Sequence, residues 1–157
     1  MSKSLKIASK ELGGNESMKA EVFLPDDYAP AEDEPFMNDR QLEYFRRKLN
    51  DWKSDLLADS RDTIEGLQDN TRNIPDVADR ASEETDRALE LRTRDRQRKL
   101  VAKIESALRR IDEGEYGYCE VTGEPISLKR LDARPIATMS LEAQERHERR
   151  EKVHRDD

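Results

Sequence analysis

The strongest periodic signal in the chain begins at Leu42. Leu42, Phe45, Leu49, Trp52 and Leu56 recur at spacings of three and four, the period of one helix face. Asn38 is placed to cap this helix, and Gln41 stands three residues on, where it can close a capping box. Met37 and Leu42 hold the two positions of a hydrophobic staple. The pattern thins after Leu57, where Ile64 and Leu67 are the next apolar residues, and Pro75, with Asn73 before it, stops the helix. A second helix is expected to start near Asp76 or Asp79. It carries Ala81, Ala88 or Leu89, Leu100, Val101, Ile104, Leu108 and Ile111. Arg109 and Arg110 fall in its last turn, where cations complement the helix dipole, and Gly114 is the expected glycine cap.

The two runs match each other as an antiparallel pair, in which facing residues have a constant sum of sequence numbers. Leu42 with Ile111, Phe45 with Leu108, Leu49 with Ile104, Trp52 with Val101 and Ile64 with Leu89 all share the sum 153. That register puts the fold-over between Asp76 and Val77, inside a turn spanning Asn73 to Ala81. In the middle, Ser60 faces Thr93 and Leu56 faces Gln97, so the hairpin is expected to be firmest at its base and more compliant toward its tip.

The flanks read differently. In residues 1–37, four lysines oppose eight acidic residues, and Pro25, Pro30 and Pro35 forbid a continuous helix. Phe23, Leu24 and Tyr28 are expected to pack on the base, with the extreme N-terminus mobile. After Gly114, Ser140 caps a last helix from Leu141 to about Arg155, whose few apolar residues are Leu141 and Val153. The expected fold is mostly α. It has an N-terminal segment (1–37), an antiparallel coiled-coil hairpin (38–113, tip 73–81), and a small base with a C-terminal helix (114–157).

Composition supports this shape. The 157 residues are 41% charged, 34% hydrophobic and 5% aromatic, too apolar-poor for one large round core but sufficient for a narrow helical seam. The net charge of -7 argues against a simple DNA-backbone binder. No run of 18 apolar residues predicts a membrane span, and no secretory signal is visible. Cys119 is the one cysteine, which excludes an intramolecular disulfide and fits a reducing cytoplasm.

Charge is locally uneven. From Arg92 to Arg110 there are eight Lys or Arg and two acidic residues. One reading is a solvated face pairing with Asp51, Asp55, Asp59 and Asp62; the other is a contact surface for an acidic partner or a phosphate ligand. Asp76 and Asp79 have two readings as well. Either can cap the second helix, and both can present carboxylates to a partner. They are not a catalytic pair, since no nucleophile, base or pocket accompanies them, and no enzyme activity is expected.

Three segments carry a family resemblance: FMNDRQLEYFRRKLNDW, NIPDVADRASEETDRALELRTRDRQRKL and YGYCEVTGEPISLKRLDARPIATMSLEAQER. From about Pro35 to Arg146 the chain resembles the DksA family of RNA polymerase-binding transcription factors. The resemblance implies a coiled coil that enters the secondary channel of RNA polymerase and brings an acidic tip toward the active site. It implies regulation of initiation complexes together with guanosine tetraphosphate, without direct sequence-specific DNA binding. By matched position, Asp76, Asp79 and Ala81 are the tip residues, and Lys103 and Arg134 belong to an alarmone site formed jointly with polymerase. A further lysine of that site falls at Gln144, which weakens the expected alarmone coupling.

The family also implies a four-cysteine zinc finger, whose positions here are Cys119, Thr122, Ser140 and Ala143. One ligand of four remains, and hydroxyls are poor zinc ligands, so no zinc is expected and the base must be held by packing. Tyr116, Tyr118, Ile126, Leu128, Leu131 and Ile136 are its candidate core, with Gly123 at the knuckle turn. Cys119 is a candidate redox thiol, although a lone cysteine with no nearby base is more often inert. A cytoplasmic monomer is expected. Two other functions stay open on the sequence: a Gre-like transcript-cleavage factor, and a structural coiled-coil scaffold.

Overall fold

The computed structural model describes residues 21–70 and 77–155, with the side chains of residues 67–70 and 77–78 outside that description. Four helices follow in order: α1 (Asp39–Asn70), α2 (Val77–Glu113), α3 (Leu128–Ala133) and α4 (Leu141–Arg155). No strand occurs among the described residues; an isolated antiparallel bridge joins Tyr118 to Pro125.

Helices α1 and α2 form the expected hairpin. Phe45 and Leu49 of α1 and Ile104, Ala107 and Ile111 of α2 are buried along its seam. Two ion pairs cross the helices, Arg46 with Asp112 at 2.8 Å and Lys53 with Glu105 at 3.1 Å. Both have the sum 158, five more than the apolar register, an offset that long cationic side chains can span. Ala107 is buried where Leu108 was expected to face Phe45, and Leu108 packs at the rim of the core. Farther out the seam opens. Ala81, Ala88 and Leu89 are all exposed, so the predicted pairing of Ile64 with Leu89 is not buried. Apolar positions are too sparse there to close both sides of the pair.

The start of α1 is built much as its sequence suggests, with one displacement. The Gln41 N–H donates to Asn38 Oδ1 at 2.9 Å, but Gln41 Oε1 accepts from the Met37 N–H at 2.8 Å rather than from Asn38. Met37 has φ +51, and its side chain lies against Gly117, where an added Cβ would come within 3.0 Å of it. The staple residue therefore packs on the base. Gln41 is fully buried, and its Nε2 donates to Ala31 O at 3.2 Å and Glu34 Oε2 at 3.4 Å. This ties the proline-rich segment to α1. Leu24 is buried and Tyr28 donates to Glu34 Oε2 at 2.6 Å, but Phe23 is 80% exposed. With Leu24 turned inward, its neighbour is left outside.

The base packs on the root of the hairpin. Tyr116, Cys119, Ile126, Leu128, Leu131, Ala137 and Ala143 join the same core as Phe45 and Leu49. Of the residues expected there, Ile136 is only partly buried, and Tyr118 lies at the surface with its ring edge-on to Phe36. Gly114 has φ +76 and donates to Ile111 O, ending α2 as a glycine cap. Ser140 Oγ accepts from Ala143 N–H and caps α4, on which Leu141 and Val153 are exposed.

Candidate functional site

The tip comes first. Helix α2 resumes at Val77, so Asp79 and Ala81 stand on its first turns rather than in a loop. Its opening sequence, rich in Ala, Arg and Glu, favours helix, and Asp79 complements the positive end of the dipole. Both residues are exposed. Asp76, Pro75 and the rest of the expected turn up to residue 76 lie outside the described residues.

At the other end of the hairpin, a cavity of about 290 Å³ opens between α2 and the base. Lys103 and Arg134, far apart in sequence, both line it, together with Arg110, Arg130, Thr138 and Gln144. None of the described residues lining it is acidic, in a chain with net charge -7. The Arg130 Nε–H donates to Met139 O at 2.9 Å, and Arg110 Nη2 donates to Tyr118 O at 2.8 Å. Those acceptors are neutral carbonyls, so they fix the guanidinium groups without cancelling their charge. An anion with several oxygens suits this surface. Gln144 Nε2 turns to Glu148 Oε1 at 2.9 Å. Tyr116 closes the inner wall; its hydroxyl donates to Pro135 O at 2.7 Å, and burial pushes its pKa well up.

Arg110 and Arg130 were not singled out by the sequence as binding groups. Arg110 read as a dipole partner, and α3, which carries Arg130, was not anticipated. A signal existed: Ser127 caps α3, its Oγ accepting from Arg130 N–H, ahead of the apolar pair Leu128 and Leu131. The cross-helix pairing, one of the two readings of the basic run, is not found among the described residues. Among the described residues, no ion pair joins it to Asp51, Asp55, Asp59 or Asp62. Asp95, on the same helix, takes Arg98 at 2.7 Å and Lys99 at 3.0 Å instead. Local i, i+3 and i, i+4 partners win over the neighbouring helix.

Around Cys119 the chain makes a tight knuckle. Cys119 N–H donates to Glu124 O, and Gly123, at φ +73, donates to Cys119 O, both at 2.8 Å. The thiol is 2% exposed. Burial raises its pKa, but the Thr122 hydroxyl and the N–H groups of Ser140, Thr122 and Val121 outweigh that and bring it down to about 6. These donors favour the thiolate form of the sulfur over the thiol.

These features define a class: a charged helical hairpin carried on a finger-like base with a cation-lined cavity at the joint. Two family models match the chain, the N-terminal domain of DnaK suppressor protein DksA over residues 41–111 and the prokaryotic dksA/traR C4-type zinc finger over residues 114–149. The chain belongs to the DksA family. It is 72% identical over 131 residues to the RNA polymerase-binding transcription factor DksA of Caulobacter vibrioides, covering 83% of this chain and 92% of that one. Against the protein of the same name in Escherichia coli K12 it is 43% identical, over 76% of this chain and 79% of that one. The structure of transcription factor DksA2 from Pseudomonas aeruginosa aligns with TM-score 0.70 and 41% identity, over 74% of this chain and 90% of the other.

The C4-type finger implies zinc, and the residues present do not fit it. Thr122 Oγ1 accepts from Glu124 N–H, Ser140 Oγ is engaged as a helix cap, and Ala143 has no donor atom. One thiolate with two committed hydroxyls is not a tetrahedral zinc set. No group of three or more His, Cys, Asp or Glu among the described residues could hold a metal ion.

Proposed function

We propose that this chain is a non-enzymatic regulator that binds RNA polymerase, inserts its hairpin through the secondary channel, and presents Asp79, Ala81 and Asp76 near the active site. The observation that carries this reading is the exposed Asp79 in the first turn of α2, at the far end of a hairpin whose helices run about 50 Å. Family membership and the polymerase-binding names of the relatives support the same partner. The cation-lined cavity supports guanosine tetraphosphate as co-regulator, held by Lys103 and Arg134 with help from polymerase. On this reading the protein acts as a cytoplasmic monomer without reading DNA sequence, and its base folds without zinc. No described helix is long and apolar enough to cross a membrane.

In vitro transcription from a ribosomal promoter, with and without guanosine tetraphosphate, tests the proposal. Asp79→Asn should leave polymerase affinity within about threefold, because one exposed charge adds little to a large interface, and should abolish regulation. Normal regulation by Asp79→Asn would sink the role of the tip. Failure of the wild type to bind polymerase would sink the whole reading.

A further inference from the structure

A long stalk delivers its tip only if the base holds it at a fixed angle. In a zinc-bearing finger the metal stiffens the base; here something else must aim the stalk. The 22 residue steps from Lys48 to Asn70 span about 33 Å, so a tilt of about 10° at the base displaces the far end of α1 by about 6 Å. That is larger than the tolerance of a placed charge. The apolar seam alone does not fix such an angle, because contacts between aliphatic surfaces are non-directional.

Besides Arg110 Nη2, which holds Tyr118 O from α2, the directional contacts that tie the base to α1 gather on one residue of α3. Asp132, on α3, accepts at its Oδ1 from Tyr44 Oη at 2.7 Å and from Lys48 Nζ at 2.7 Å. Lys48 Nζ also donates to the Asp132 backbone carbonyl at 2.7 Å. Tyr44 and Lys48 are four residues apart on α1, one turn along the same face. Lys48 Nζ lies 5.6 Å from the Tyr44 ring centre, and that ring meets Phe45 edge-on at 5.2 Å. Phe45 is fully buried and touches Tyr116, so the polar clamp is continuous with the core. Both Lys48 and Tyr44 hold the Asp132 carboxyl below its ordinary range, with the Lys48 hydrogen bond the larger cause. The neighbouring Leu131 is fully buried, which fixes α3 in turn.

We propose that Asp132 is a positioning residue that sets the angle of the hairpin on the base by gripping Tyr44 and Lys48. Its contribution to stability is small, because a half-exposed ion pair gains little net energy. Its contribution to geometry is large, because three short bonds on two consecutive turns of α1 define a direction. The link to regulation rests on the polymerase reading above; the geometric claim does not.

Paired spin labels on azide-bearing residues at Glu65 and Glu124 measure the angle in the full-length protein. Asp132→Ala should shift or broaden the distance distribution by several ångströms, with helix content unchanged. Tyr44→Phe, which removes only the hydroxyl, should do so more mildly. Lys48→Glu and Asp132→Lys should each broaden it, and the double variant should narrow it again, a rescue that general destabilisation would not produce. Regulation in transcription should follow the width, falling at least about fivefold in Asp132→Ala while polymerase still binds. An unchanged distance distribution in Asp132→Ala overturns the proposal whatever transcription does. A changed distribution with normal regulation refutes its functional half. Should Asp132→Ala lose helix content, the Tyr44→Phe variant and the charge-swap pair decide in its place.

Discussion

If hydrogen bonds to the Cys119 sulfur replace a metal, the stability they supply must depend on pH in a defined direction. The thiol has an ordinary pKa of 9.0 and a folded value of about 6. A group whose folded pKa is depressed contributes fully above its unfolded pKa and loses its contribution as pH falls through the folded one. Between those values the linkage adds on the order of 1 kcal/mol per pH unit, and the contribution fades as pH falls below the folded value. Cys119→Ser keeps a neutral acceptor and does not ionise, so the gap between wild type and variant should grow by about 1 kcal/mol from pH 7 to pH 8. Urea unfolding followed by circular dichroism at 222 nm, in reductant and at half-unit intervals from pH 5.5 to 8.5, reads this difference. Cys119→Ala should already cost about 1–3 kcal/mol at pH 5.5, because buried donors lose their acceptor outright, and its gap should widen with pH in parallel with that of Cys119→Ser. A gap that stays flat with pH would show that Cys119 is an ordinary buried thiol. A gap that disappears on adding a chelator would show that a metal, not the donor cradle, carries the stability.

Three further expectations follow from other contacts. Gly117 has φ +89, and a Cβ there would meet Met37 Cε and Cγ at 3.0 Å, so Gly117→Ala should cost about 1–3 kcal/mol; adding Met37→Ala should recover the clash but not the backbone strain, measured as urea midpoints. Gln41 is fully buried with three partners, so Gln41→Ala should lose about 2–3 kcal/mol and speed amide exchange of residues 31–42 more than of α2. Gln144→Lys restores a cation to the cavity wall and should strengthen the guanosine tetraphosphate response by about three- to tenfold in transcription at low salt, with the gain shrinking as salt rises; no gain would show that the ligand does not approach this wall.

Legibility from sequence tracked how local each determinant was. The root of the hairpin was readable because Phe45, Leu49, Ile104 and Ile111 repeat at the helical period and are the residues that become buried. The outer half was over-read. Leu89 fits the register and is 54% exposed, because a register states which residues can face each other and not whether enough apolar neighbours exist to exclude water. Asn38, Ser140 and Gly114 were found as caps because capping is a contact within a few residues. The contact of Met37 with Gly117 was not legible, because the two are distant in sequence and invisible to a local rule. In the cavity, Lys103 and Arg134 came from family resemblance alone. Arg110 and Arg130 needed three dimensions, since only the fold shows their hydrogen bonds ending on carbonyls rather than carboxylates.

The finger carries the same argument one step further. Counting ligands shows what is missing, three thiols of four, but says nothing about what holds the base in their place. The structure divides the task that a metal performs in one place. Cys119 gathers N–H groups from both halves of the knuckle, Arg130 ties α3 to Met139 O, and Tyr116 reaches Pro135 O across the core. Asp132 then joins that assembly to α1. Each contributes only about 1–3 kcal/mol net, so no single loss should unfold the base as metal removal unfolds a zinc finger. A distributed set of weak, directional bonds should therefore fail gradually. Substitutions at these positions should loosen the aim of the hairpin well before they melt it, and defects in regulation should appear in variants whose folding is intact.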